Sequence, residues 1–169
     1  MASRSILALG AALAAVLTLA AAAFALPPFS TDPKSAGPDD GGQSELSEAR
    51  VGCHKRFDRF VVRVGAVTPA AYRARYVRKI VSDGSGATVQ LLGTKRLRVR
   101  FPTARAHRES DGAPLVARTL TPKCPNLRQV KLAGDFEGVV TFGLGLRAKP
   151  GFRVFRLTGP ARVVVDVKH

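Results

Sequence analysis

Five arginines stand at spacings that could build a binding surface. Arg96, Arg98 and Arg100 alternate with Leu97 and Val99, and Arg73 and Arg75 flank Ala74. A period of two puts alternate residues on one face of a strand. If the two strands pair, five guanidinium groups share one sheet surface. A guanidinium is a planar fork that meets phosphate or carboxylate through two parallel hydrogen bonds. The chemistry expected is recognition of an anion, with Arg73, Arg75, Arg96, Arg98 and Arg100 as the ligand-binding candidates. The same pattern also fits the plain solvated face of an amphipathic sheet.

The remaining reactive residues are few. Cys53 and Cys124 are the only cysteines. In an exported chain an even pair predicts one disulfide, which would tie the first strand to the end of a long loop. Closing so long a loop stabilises by about 4 kcal/mol in the chain-entropy account. No metal site is expected: His54 adjoins Cys53, but a second close pair of ligands is missing. There is no G-x-S-x-G, no H-E-x-x-H and no glycine-rich phosphate loop, so no catalytic set and no cofactor are expected. Asp58 with Asp135 or Glu137 could form a carboxylate pair for glycan hydrolysis. The plainer reading has these acids pairing with arginines or closing turns. Tyr72 and Tyr76 share a face that could stack on sugars or lie in the core.

The elements that must position these residues read as strands. Phe60, Val62 and Val64 alternate with Val61 and Arg63. Tyr72, Ala74 and Tyr76 follow the same pattern, as do Leu97, Val99 and Phe101, then Val130 and Leu132, then Val140, Phe142, Leu144 and Leu146. Turn signals separate them at Thr68-Pro69, Asp83-Gly84, Gly93, Asp111-Gly112, Gly134-Asp135 and Pro150-Gly151. Short strands at this spacing predict an all-β antiparallel sandwich. The chain closes on a hairpin, Phe152 to Leu157 and Arg162 to Val167, turning at Thr158-Gly159-Pro160. Val163, Val165 and Val167 form its inward face, with Arg162, Asp166 and Lys168 on the other. The segment 102–125, with four prolines, reads as a long irregular loop.

The first 25 residues read as a signal peptide. Arg4 is followed by an apolar run from Ile6 to Ala23, and Ala23-Phe24-Ala25 offers a cleavage site between Ala25 and Leu26. Uncleaved, such a run has the roughly 20 apolar residues that span a bilayer. Residues 26–47, rich in proline, glycine and acids, read as a disordered linker, and the β domain is expected over 48–169. The charge follows this division. Of 27 lysines and arginines, 24 lie beyond residue 50, against 7 of the 12 acids. Such a field favours anionic partners. Arginine outnumbers lysine 19 to 8, a bias that a GC-rich genome also produces.

F-R-V-F-R-L-T-G-P-A-R-V-V-V-D-V, from Phe152 to Val167, resembles the closing hairpin of AMIN and AMIN-like domains. Phe57-Asp58-Arg59-Phe60-Val61-Val62 resembles an early strand of the AMIN-like group, and Gly134-Asp135-Phe136-Glu137-Gly138-Val139-Val140-Thr141 its central strand. Tyr72 to Val77 and Leu97 to Arg100 fit its middle section. The resemblance implies a β-sandwich in a bacterial envelope protein. In the AMIN domains themselves it implies a cell-wall targeting module attached to hydrolases or secretion channels. The AMIN-like group, mostly secreted or lipid-anchored, brings no settled activity.

The expectation is therefore an exported, envelope-associated and non-enzymatic binding module. Its partner would be peptidoglycan or an associated anionic cell-wall polymer, with the membrane met only through an uncleaved N-terminal segment. A wall hydrolase is the rival, disfavoured by the empty motif search. Nucleic-acid binding would satisfy the charge, but the export signal and the lack of any reading motif argue against it.

Overall fold

The alternating stretches do become strands, and they stack as two sheets. The computed structural model describes residues 25–37, 42–65 and 70–169. The signal segment, apart from Ala25, and the Thr68-Pro69 turn lie outside those residues. The strands are β1 (Lys34–Ala36), β2 (Ser44–Cys53), β3 (Phe57–Val64), β4 (Tyr72–Val77), β5 (Lys95–Phe101), β6 (Ala104–Arg105), β7 (Thr119–Leu120), β8 (Leu127–Phe136), β9 (Val139–Leu146), β10 (Phe152–Leu157) and β11 (Arg162–Lys168). One sheet has the order β1-β4-β5-β9-β8-β7, and the other β10-β11-β3-β2-β6. All pairings are antiparallel except β2 with β6, which is parallel. The result is an all-β sandwich with the expected closing hairpin, Phe152 facing Val167 and Leu157 facing Arg162.

The inward residues of both sheets meet in one core. Phe60, Val62, Val163, Val165 and Val167 come from one sheet, and Leu97, Val99, Phe142 and Leu144 from the other, all at most 1% exposed. The Phe60 and Phe142 rings meet edge to face at 5.2 Å. Each such side chain contributes roughly 1.5–3 kcal/mol by leaving water, and that sum fixes register. A slip by one residue would bring the arginines inward.

Four local features depart from the sequence reading. The segment expected as linker is partly ordered: Ser30 bridges Phe152 on β10, and β1 pairs with β4. Residues 29–36 thus form a strap across the edges of both sheets. The domain also begins earlier, since β2 starts at Ser44. Gly134-Asp135 is no turn. It continues β8 through a register shift between Leu132 and Gly134, and the chain reverses at Glu137 and Gly138, both at positive φ (48° and 74°). The segment 102–125 contains β6 and β7 and buries Ala104, Ala106, Val116 and Cys124.

The loop 78–94 was not foreseen as a structural layer. It folds over the outer side of the six-stranded sheet and forms a small second core of Ile80, Leu91 and Ala133, flanked by Val77 and Val89. Gly143 and Gly145 make this possible. A side chain on Gly143 would meet Leu91 and Ile80, and one on Gly145 would meet Leu91 and the Leu92 carbonyl.

Candidate functional site

β4 and β5 pair with Arg73 opposite Arg100 and Arg75 opposite Arg98, while Arg96 lies opposite Val77. The alternate residues Ala74, Leu97 and Val99 are buried at 1% exposure or less, so the core holds all five arginines on the outer face.

The five then divide by what they touch. Arg73 donates to the carbonyls of Tyr72 at 2.9 Å, Gly37 at 3.2 Å and Ala36 at 3.3 Å, which fastens β1 to the sheet. Arg96 donates to the carbonyls of Gly93 at 2.7 Å, Leu91 at 3.0 Å and Lys95 at 3.1 Å, which pins the loop 78–94. These two are structural clamps. Arg75, Arg98 and Arg100 make no hydrogen bond or ion pair with the described residues. Together with Arg73 and Ser35 they line a cleft of about 290 Å³. The strap bounds this cleft on one side and the loop 78–94 covers the sheet beyond it.

Like charges placed directly opposite each other on a sheet repel. Arg98 registers this. Burial pushes its pKa down, the guanidinium groups of Arg75 and Arg100 push it further, and Asp83 works in the opposite direction. Arginine remains a cation regardless, and Asp83 offsets the repulsion only in part. No carboxylate of the described residues lines the cleft.

The acids weighed for catalysis are placed apart and in other roles. Asp58 is fully buried, and its Oδ2 accepts the backbone N–H groups of Asn126 and Leu127, each at 2.7 Å. Asp135 accepts the Ala106 N–H at 3.2 Å and lies 2.7 Å from Nδ1 of His107. Glu137 is exposed in the β8–β9 turn. Cys53 and Cys124 form the expected disulfide, with Cα atoms 5.2 Å apart. Their sulfurs and an Asp58 oxygen lie within 4.8 Å of one another. Sulfurs bonded to each other are not the thiolates a metal site requires.

Tyr72 and Tyr76 face inward. Tyr76 donates to the Pro150 carbonyl at 2.8 Å and meets Phe152 edge to face at 5.5 Å. Burial pushes its pKa up to about 12. Burial raises Tyr72 as well, against the opposing pull of Arg156. Tyr72 is buried, and Tyr76 is half-buried with the Lys149 ammonium 5.4 Å from its ring centre.

Two clusters escaped the sequence reading. His107 and Asp135 line a second cleft, of about 470 Å³, beside Phe136, which is 52% exposed. Asp166 is 0% exposed and bonds to Arg59 at 2.6 and 2.9 Å and to Arg153 at 2.9 Å. The only sequence signal for that clamp was an acid in the last strand among arginines.

Comparison with protein families matches residues 44–169 to the AMIN-like domain. No curated protein and no solved structure matches the chain.

Proposed function

Because the chain belongs to the AMIN-like domain family, whose modules are envelope-associated and generally serve binding or targeting, we propose that it is an exported, non-enzymatic module that binds peptidoglycan or an associated anionic cell-wall polymer. One observation carries the choice of ligand. Arg75, Arg98 and Arg100 stand together around a cleft with no acid among its described lining residues. On the other sheet Asp166 neutralises Arg59 and Arg153. Three guanidinium groups without a hydrogen bond or ion pair to the described residues favour an anion. The disulfide fits an oxidising compartment outside the cytoplasm.

The test is sedimentation with purified cell-wall sacculi. Replacing Arg75, Arg98 and Arg100 together by Gln is expected to leave the melting transition in place, since the buried alternate residues are untouched. It should lower sedimentation, most strongly at low salt, where exposed charges are least screened. Arg73 and Arg96 are left alone in this variant because their loss would loosen the strap and the loop. A folded triple variant that sediments as well as the parent would remove the arginine face from the mechanism.

A further inference from the structure

We propose that the arginine face selects a phosphodiester polymer of short repeat, a polyol phosphate chain, over a polycarboxylate; this rests on the binding reading above and names the ligand class for the same surface.

The spacing of the charges carries it. Arg75 and Arg98 face each other across β4 and β5, forming one rung. Arg100 stands two residues further along β5 on the same face, opposite Arg73. With about 3.4 Å of rise per strand residue, the rungs are about 6.8 Å apart. A ligand that fills the face must therefore return an anion to the same side at that short interval. A polyol phosphate chain does so, because each anion is part of the chain itself and the linking unit is small. A polyuronate carries its carboxylates at the margins of rings that turn relative to one another. Neighbouring carboxylates then do not face one lane.

The geometry at each rung agrees. A phosphodiester is tetrahedral. Its two free oxygens point in different directions, so one can meet Arg75 and the other Arg98. That use of two opposed cations on a single anion relieves the repulsion between the facing guanidinium groups.

The walls favour a slim chain. Ser35 on the strap forms one flank, while the loop 78–94 fills the outer face over Gly143 and Gly145, which lie beside Arg98 and Arg96 in the register. At about 290 Å³ the lane is narrow. It sits at the lower limit of about 300 Å³ common for small-molecule sites.

The experiment is titration calorimetry at low salt on the intact, oxidised protein. The probes are a glycerol phosphate oligomer, an oligogalacturonate with the same number of charges, monomeric glycerol phosphate, and vesicles containing an anionic phospholipid. The oligomer is expected to bind at least about tenfold tighter than the oligogalacturonate, because the match of anion spacing to the rungs adds to bare charge. It should also exceed the monomer and the vesicles. Arg75→Gln with Arg98→Gln should abolish the preference. Arg75→Lys with Arg98→Lys should abolish it too while keeping the charge, which covers the case of a poorly folded Gln variant. Equal affinity for the two oligomers overturns the proposal, as does no binding to either, a preference surviving both double variants, or equal binding to monomer or vesicles. In any of these cases sedimentation with sacculi that still depends on Arg75, Arg98 and Arg100 leaves the binding function standing. Loss of that dependence removes both.

Discussion

Asp166 is a measure of how this fold treats charge it intends to keep. Its carboxylate is 0% exposed, and Arg59 and Arg153 grip it from the neighbouring strands. The guanidinium of Arg153 lies 4.4 Å from the Phe29 ring centre, and that of Arg59 lies 5.0 Å from Phe57. Both cations are thus paired and stacked. On the opposite sheet Arg75, Arg98 and Arg100 have neither a pairing nor a stacking partner among the described residues, which is why they carry the proposed site. Asp166→Asn keeps the shape but leaves two half-buried cations without their anion. Removing one member of a buried pair typically costs about 3–5 kcal/mol. Since Arg59 and Arg153 retain some access to water, with 25% and 13% of their side chains exposed, the lower end is expected. Urea unfolding would read it, and sedimentation with sacculi should be unchanged for the folded variant. The alternation of the last strand placed Asp166 correctly on the face away from Val165. It did not reveal that this face is covered, because the covering groups come from Arg59, 107 residues away, and from the strap.

At the level of elements, the strands that alternate cleanly were legible and the segments that lie on top of them were not. The hairpin arms, β3, β5 and β9 follow directly from their period of two, because a half-buried strand has no other way to hide its apolar side. The strap and the loop 78–94 carry no such period. Their order comes from what they find on the sheet: unpaired edges on β4 and β10 for one, the bare glycine lane of β9 for the other. Composition argued that residues 26–47 cannot build a core, yet Leu46 on β2 is fully buried in it and Ala36 on the strap packs against it. An edge strand asks only for backbone groups, which any sequence supplies. The strap is held at one end by Ser30, whose N–H donates to the Phe152 carbonyl at 3.1 Å and whose hydroxyl accepts from Lys34 at 2.7 Å. Ser30→Pro removes both, at an expected cost of about 1 kcal/mol for each net hydrogen bond. Amide exchange should quicken at Phe152 and along β4, whereas Ser30→Ala, which retains the backbone bond, should disturb it less. Unchanged exchange in the proline variant would mean that the strap does not guard these edges.

Across the whole molecule, the two sheets are joined by burial, by the strap at one side and by a covalent tie near the chain's end. Cys53 closes β2 in one sheet, and Cys124 precedes β8 in the other. The cysteine pair could be read from the sequence because there are only two. What could not be read is that Asp58 makes a second tie at the same place, gripping the N–H groups of Asn126 and Leu127 just beyond Cys124. The two links restrain the same stretch, so they are not independent. The disulfide spans 71 positions, for which the chain-entropy account gives about 4 kcal/mol, acting mainly by limiting the unfolded chain. Replacing both cysteines by serine should therefore lower stability by about that amount while leaving the arginine lane, on β4 and β5, in place. Asp58→Ala in the oxidised protein removes a buried acceptor of two backbone bonds and should cost about 2–3 kcal/mol. Combining the changes should cost more than the sum, because each tie holds the segment that the other has lost. A strictly additive cycle in urea unfolding would show that Asp58 and the disulfide secure different parts of the fold.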